Sequence, residues 1–238
     1  MKTREDLLLI GRLFGAPNSQ LKEIFNLTQI DDFAQTGKVS QEYTKSLRAA
    51  AVGMVGSGHV STVEVNDAFF DIFSNLEIVA VLGVGCDHID VDAAAKRSVT
   101  ITNTPDVNTE EVADTAMGML LGTVRQLPQA DRFVRAGKWP TQMFPLTGTL
   151  RSKRLGILGL GRIGKAVARR AEAFGLEILY HGRNRQPEVS YTYFDSAIDL
   201  ATAADILMVI VPGGEATRNL VDATMLRALG KEGVLLNV

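Results

Sequence analysis

The chain predicts an α/β protein made of two successive parallel, doubly wound sheets, and three observations carry that expectation. Short β-rich apolar runs alternate with helical patterns along the sequence. Several of those runs are apolar almost throughout, which suits strands covered on both faces. One glycine-rich turn falls between such a run and a helix.

In chain order the runs are LLLIGRLF from Leu7, AAVGMVGSG from Ala50, EIVAVLGVG from Glu77 and VTITNTP from Val99, then RLGILGLG from Arg154, LEILYHG from Leu176, ADILMVIVP from Ala204 and GVLLNV from Gly233. Between them, segments such as STVEVNDAFFDIFSN and VDAAAKRS are long enough for crossover helices. The longest helical pattern is NTEEVADTAMGMLLGTVRQ, Asn108 to Gln126. Asn108 with Glu111 reads as a capping box, Val112, Ala116, Met119, Leu120 and Val124 recur at helical spacing, and Leu127-Pro128 stops the pattern. This helix separates two sets of strands. The expected division is therefore a first domain over residues 1–104 and a second over 105–238, the junction lying at Thr104-Pro105.

Composition narrows the function classes. The 238 residues are 46% hydrophobic and carry 25 Lys+Arg against 27 Asp+Glu, so no net field favours nucleic acid or an anionic membrane. No apolar run approaches the roughly 18 residues of a membrane helix, and the start, MKTREDLLLIGRLFG, lacks the pattern of a signal peptide. Cys86 is the only cysteine, which removes an intrachain disulfide and a thiol metal cluster and favours a reducing compartment. A cytoplasmic globular protein without a metal site is expected.

The chemical signal is RLGILGLGRIGKAVARRAEAFGLEILYHGR. The strand Leu155 to Leu158 runs into Gly159, Gly161 and Gly164. A helix follows, with Ile163, Val167, Ala171 and Phe174 on one face until Gly175, and the strand Leu176 to Tyr180 completes a βαβ unit. In such a Rossmann unit the first glycine permits the sharp turn, the second lets a pyrophosphate approach the backbone, and the third packs helix on strand. The helix N-terminus adds N–H groups and a positive dipole end for phosphates. About 20 residues on, an Asp or Glu would hold the ribose 2′-hydroxyl of NAD. Here the loop reads YHGRNRQ, with Arg183, Asn184 and Arg185 and no acid. Guanidinium groups bind a 2′-phosphate that a carboxylate would repel, so NADP(H) is expected rather than NAD, with Arg183 the foremost residue.

With this unit placed, the chain resembles the D-isomer-specific 2-hydroxyacid dehydrogenases, most closely their glyoxylate/hydroxypyruvate reductase branch. The resemblance runs through VLGVGCDHIDVDAAAKRSVTITNTPDVNTEEVADTAMGMLL, RFVRAGKW, LGILGLGRIGKAVARRAEAFG and VPGGEATRNLVDATMLRALGKEGVLLNV. It implies a flavodoxin-like substrate domain followed by a Rossmann cofactor domain, and hydride transfer between NADP(H) and a small 2-oxo or 2-hydroxy acid. It assigns Val84 and Gly85 to a loop whose backbone N–H groups hold the substrate carboxylate, as grouped donors at a turn can. Gly56 to Gly58, at the end of an earlier strand, are expected to border the same cleft, on weaker grounds. The implied cofactor set is Gly159, Leu160, Gly161, Arg162, Ile163 and Gly164 in the turn, Arg183, Asn184 and Arg185 in the loop, Val211 and Pro212 after their strand, and Val238.

The resemblance gives no catalytic residue within the chain. The family's Arg follows a strand like GVLLNV, its Glu and His come later, and all three fall beyond Val238 in the matching order. Both domains are then incomplete, the first lacking its return segment, and the 238 residues are expected to be inactive by themselves. The histidines His59, His88 and His181 do not match the catalytic one and read as surface or capping residues. Cys86 reads as packing. Departures from the family pattern are Ser152 in RSKR, where a glycine is usual, and Gly213-Gly214, where many members have Leu-Thr. The complete protein is expected to form a homodimer. Two rival readings stand beside this one: a non-catalytic dinucleotide-binding regulatory protein of the same fold, and a related dehydrogenase with another acceptor, such as formate or phosphoglycerate.

Overall fold

A computed structural model describes residues 6–10, 26–30, 47, 49–52, 64–81, 83–86 and 88–238. The chain divides into two compact units, Met1–Val107 and Asn108–Val238.

In the first unit five parallel strands lie in the order β2-β1-β3-β4-β5. They are β1 (Asp6–Ile10), β2 (Asn26–Ile30), β3 (Ala49–Val52), β4 (Ile78–Val81) and β5 (Thr100–Thr102). This is the flavodoxin-like order, in which the chain reverses direction across the sheet between β1 and β3. β2 was not anticipated, because NLTQI interleaves polar residues with its apolar ones. Helix α1 (Asp67–Ile72) starts at Asn66, whose side chain accepts from the Phe69 N–H, and buries Phe69 and Phe70. Helix α2 (Val91–Lys96) starts at Asp90, which accepts from the Ala93 N–H at 2.8 Å. Their buried faces meet Val79, Val81 and Leu76 in one core, and Cys86 packs against it.

The second unit holds β6 (Arg154–Leu158), β7 (Glu177–His181), β8 (Thr192–Tyr193), β9 (Ile206–Val209) and β10 (Val234–Asn237). They pair in parallel in the order β10-β9-β6-β7-β8. Renumbered within the unit this is 3-2-1-4-5, the Rossmann order for five of the six strands of a double unit. The crevice of such a sheet opens at the carboxyl ends of β6 and β9, where the order reverses.

Helix α3 (Thr109–Val124) begins at Asn108, but the Asn108 side chain makes no capping hydrogen bond. The expected capping box is not formed. The buried face of α3 is Ala113, Ala116, Met117 and Leu120, while Met119 is exposed, so the face is rotated from the expected one. Two ion pairs help explain the rotation. Arg170 of α5 (Arg162–Ala173) reaches Glu110 at 2.7 Å and Asp114 at 2.7 Å, which turns that side of α3 toward α5. Glu110 and Asp114 hold the Arg170 guanidinium protonated even above its ordinary value. Leu127-Pro128 does not merely stop α3: after Gln126 in the left-handed region (φ 53°), the proline opens helix α4 (Leu127–Arg135).

Helix α5 buries Gly164, Ala166, Val167, Ala168 and Ala171 against β6 and ends at Gly175, whose φ of +76° favours glycine. Phe174, expected on the buried face, is the C-cap and is exposed. On the other face of the sheet, α6 (Ala197–Ala203) and α7 (Ala223–Leu229) pack through Leu200, Ala201, Met225 and Leu229 on Leu158, Leu179 and Leu207. Ser196 caps α6 and Asp222 caps α7 through N–H groups of their first turns.

Candidate functional site

The turn after β6 lies at the sheet's reversal point, and its three glycines differ in what surrounds them. A Cβ on Gly159, which has φ +103°, would lie 2.4 Å from the Ile210 carbonyl oxygen and 3.1 Å from Val211 Cγ1. The end of β9 therefore passes directly over the turn, and the Ile210 N–H donates to the Leu158 carbonyl at 2.8 Å. A Cβ on Gly164 would lie 2.4 Å from the Gly159 carbonyl oxygen, so the first turn of α5 folds back on the loop. A Cβ on Gly161 would meet nothing within 4 Å. Gly161 is also the N-cap of α5, a helix with no side-chain cap.

One glycine thus serves the crossing strand, one serves helix packing, and the middle one faces open space at an uncapped helix N-terminus. Open backbone beside a positive dipole end fits a phosphate group. Leu160 is buried, Arg162 is exposed and Ile163 is part-buried against the core.

The loop after β7 carries Arg183, Asn184 and Arg185, all exposed. Neither arginine makes an ion pair with another described residue, which leaves both guanidinium groups available to an anion. The loop is tied down around them. His181 Nδ1 lies 2.8 Å from the Phe194 carbonyl oxygen, so Nδ1 carries the proton there. Tyr193 Oη donates to the Gly182 carbonyl at 3.3 Å. Lys165 of α5 pairs with Glu188 at 2.9 Å, and this hydrogen bond holds the Glu188 carboxyl below its ordinary value. Gln186, which the sequence reading did not single out, donates through Nε2 to the Leu160 carbonyl at 2.7 Å and joins the basic loop to the glycine turn.

After β9, Val211 is part-buried and Pro212 exposed. The Pro212 carbonyl accepts from Thr217 Oγ1 at 2.6 Å, and Gly214 has φ +132°, a conformation in which a bulkier residue would be strained. Val238 continues β10, its N–H donating to the Val209 carbonyl at 3.1 Å.

In the first unit, Val84 and Gly85 are exposed in the loop after β4. Two residues missed by sequence reasoning hold that loop. Thr104 exchanges hydrogen bonds with Gly83, its Oγ1 accepting from the Gly83 N–H at 3.0 Å and its own N–H donating to the Gly83 carbonyl at 3.0 Å. Asn103 Nδ2 donates to the Val84 carbonyl at 2.9 Å. Because a peptide unit is planar, a bond on the Val84 carbonyl also fixes the direction of the Gly85 N–H. His88 is part-buried and its carbonyl accepts from the Val65 N–H at 2.9 Å. Gly56, Gly58 and His59 lie outside the described residues. Among the described residues no group of His, Cys, Asp and Glu could hold a metal, and no helix is long and apolar enough to cross a membrane.

The topology, with a glycine turn at the reversal point of the second sheet, defines a two-unit α/β protein with a dinucleotide-type fold. Residues 117–238 match the family model "D-isomer specific 2-hydroxyacid dehydrogenase, NAD binding domain". Glyoxylate/hydroxypyruvate reductase A HPR2 of Arabidopsis thaliana is 41% identical over 234 residues, covering 96% of this chain and 72% of that protein. Hydroxyphenylpyruvate reductase of Plectranthus scutellarioides is 44% identical over 168 residues, 71% of this chain and 54% of its own length. Among solved structures, the NADPH-dependent glyoxylate/hydroxypyruvate reductase SmGhrB from Sinorhizobium meliloti, in complex with NADP and malonate, superposes with a TM-score of 0.87 at 41% identity. That match covers 99% of this chain and 71% of SmGhrB. The chain belongs to the D-isomer-specific 2-hydroxyacid dehydrogenase family.

Proposed function

We propose that this chain serves an NADP(H)-dependent reductase of small 2-oxo acids, of the glyoxylate or hydroxypyruvate type, its second unit binding the cofactor and its first binding substrate. One observation carries the reading: a glycine turn open at Gly161 is bonded to a loop whose stretch Gly182 to Gln186 holds two arginines and no acid. The family relation supports it, as does the NADPH dependence of SmGhrB.

In this reading, the pyrophosphate is held by the backbone around Gly159, Leu160, Gly161, Arg162, Ile163 and Gly164. Arg183 and Arg185, with Asn184, hold the 2′-phosphate, and Val211, Pro212 and Val238 border the rest of the dinucleotide. The nicotinamide supplies the hydride when bound. Val84 and Gly85 offer N–H groups to the substrate carboxylate, and Asn103 and Thr104 keep that loop in shape. Orientation of the two reactants is the protein's main contribution from these residues.

Calorimetric titration with NADPH and NADH tests the cofactor part of this reading, and binding of neither nucleotide would sink it.

A homodimer completes the proposal. Leu127, Val134, Trp139, Met143 and Leu146 are exposed along one stretch, Trp139 at 64% and Leu146 at 93%. Beside them Gly118, Met119 and Gly122 of α3 line a shallow groove with Pro128. Apolar surface of this kind marks an association site, and its small residues leave room for a second copy.

A further inference from the structure

We propose that Gln186 is a positioning residue for the dinucleotide. Its side-chain amide locks the peptide plane between Leu160 and Gly161 and so sets the direction in which the turn presents the Gly161 N–H. The inference deepens the cofactor reading above and rests on it.

The contact has one possible polarity. Gln186 Nε2 lies 2.7 Å from the Leu160 carbonyl oxygen, and a carbonyl oxygen only accepts. Turned over, the amide would bring two oxygens together. The peptide unit joining Leu160 to Gly161 is planar and trans, so its C=O and N–H point in opposite directions. Drawing the carbonyl toward Gln186 therefore aims the N–H away from it. Gly161 has the freest backbone of any residue type, and nothing crowds its α-carbon, so the peptide needs a hold from outside the turn.

Gln186 is itself rooted. Its N–H donates to Tyr180 Oη at 2.8 Å, and the Tyr180 hydroxyl reaches back to the Gln186 carbonyl at 3.4 Å. The Tyr180 side chain is buried in the core of the second unit. A fixed residue of β7 thus anchors the loop residue whose side chain holds the turn.

The remaining amide atom separates positioning from simple structure. Gln186 Oε1 is buried and has no hydrogen-bond partner among the described residues. A buried acceptor left unpaired opposes folding. An apolar side chain at this position would remove that cost while leaving the Leu160 carbonyl without its donor, so the two effects on the fold offset each other and the change is read in the cofactor affinity.

The test is calorimetric titration of the 238-residue chain with NADPH and with NADH, for the unmodified protein, Gln186→Leu, Gln186→Asn and Arg183→Ala. Gln186→Asn keeps the amide but withdraws it by one methylene, and it serves should the leucine variant not fold. Both Gln186 variants are expected to weaken NADH and NADPH by a common factor on the order of tenfold. Their preference between the two nucleotides should persist, whereas Arg183→Ala should lose it. In the amide NMR spectrum of the ligand-free protein, the Gly161 resonance should move in Gln186→Asn while the midpoint of thermal unfolding stays close to that of the parent. Unchanged NADH affinity in a folded variant, an unmoved Gly161 resonance, or a loss of preference like that of Arg183→Ala would each overturn the proposal. Binding of neither nucleotide by the unmodified chain would overturn the cofactor reading first, before any variant is compared.

Discussion

Gly161 and Gly164 stand three positions apart in one turn, and their surroundings predict opposite behaviour. Alanine at Gly164 would press a methyl against the Gly159 carbonyl at 2.4 Å, so Gly164→Ala should cost about 1–3 kcal/mol as overpacking does. Denaturant unfolding measures that cost, and NADPH affinity should fall with it. Alanine at Gly161 meets nothing within 4 Å, so Gly161→Ala should leave the unfolding midpoint nearly unchanged while weakening NADPH, because its methyl occupies the open side of the turn. An equal loss of stability in both variants would contradict this division of labour. Arg183→Ala removes a charge-assisted hydrogen bond from the proposed 2′-phosphate site, and should weaken NADPH by roughly 10- to 100-fold with little effect on NADH.

Asp205 gives the pH dependence a sign. Its carboxylate accepts from the Arg154 N–H at 2.8 Å, which is the main reason it titrates below the ordinary range, with Lys153 and the Arg154 side chain nearby. A carboxyl depressed in the folded state stabilises the fold above its unfolded value, about 3.9, and that contribution disappears as pH falls through the lower folded value. The second unit should therefore lose stability on acidification below about pH 4, and Asp205→Asn should flatten that part of a thermal-melt profile. A profile unchanged in Asp205→Asn would remove Asp205 from the account.

At the scale of elements, what the sequence could reveal depended on how local the cause was. The strands β6, β7, β9 and β10 of the second unit were legible from their apolar runs, and Gly159, Gly161 and Gly164 declared the turn by their spacing between an apolar strand and a helix. β2 and β8 were not legible, since one mixes Thr28 and Gln29 into its apolar pattern and the other is only two residues long. The face of α3 was misjudged because apolar spacing does not know that Arg170 waits on α5 for Glu110 and Asp114. Asn103 and Gln186 escaped for a related reason. Their acceptors lie 19 and 26 residues away in sequence, and only the folded sheet brings them together.

Residue type alone does not make a cap. Asn108 has the residue type but makes no capping bond, while Ser196 accepts from the Ile198 N–H at 3.2 Å and the Asp199 N–H at 3.4 Å. Ser196→Ala should destabilise the second unit by about 1 kcal/mol. Leu200, fully buried where α6 meets the sheet, should cost about 2–5 kcal/mol when cut to alanine. Chemical denaturation of the two variants should preserve that ranking, and a reversed ranking would mean that α6 is not held by its buried face.

At the scale of the whole molecule, the two sheets have the strand orders of a flavodoxin-like and a Rossmann unit, and the second carries the proposed cofactor set. The exposed stretch through Trp139 and Leu146 predicts a dimer in sedimentation experiments, and Trp139→Glu should shift it toward monomer; a monomeric parent chain would contradict that proposal.

The central claim is that a glycine turn open at Gly161, bonded to a loop with Arg183 and Arg185, selects the phosphorylated dinucleotide. Paired calorimetric titrations of the 238-residue chain with NADPH and NADH test it most directly. The account predicts that NADPH binds at least about tenfold more tightly, as one charge-assisted hydrogen bond to the 2′-phosphate requires. Equal affinity, or tighter binding of NADH, would contradict it.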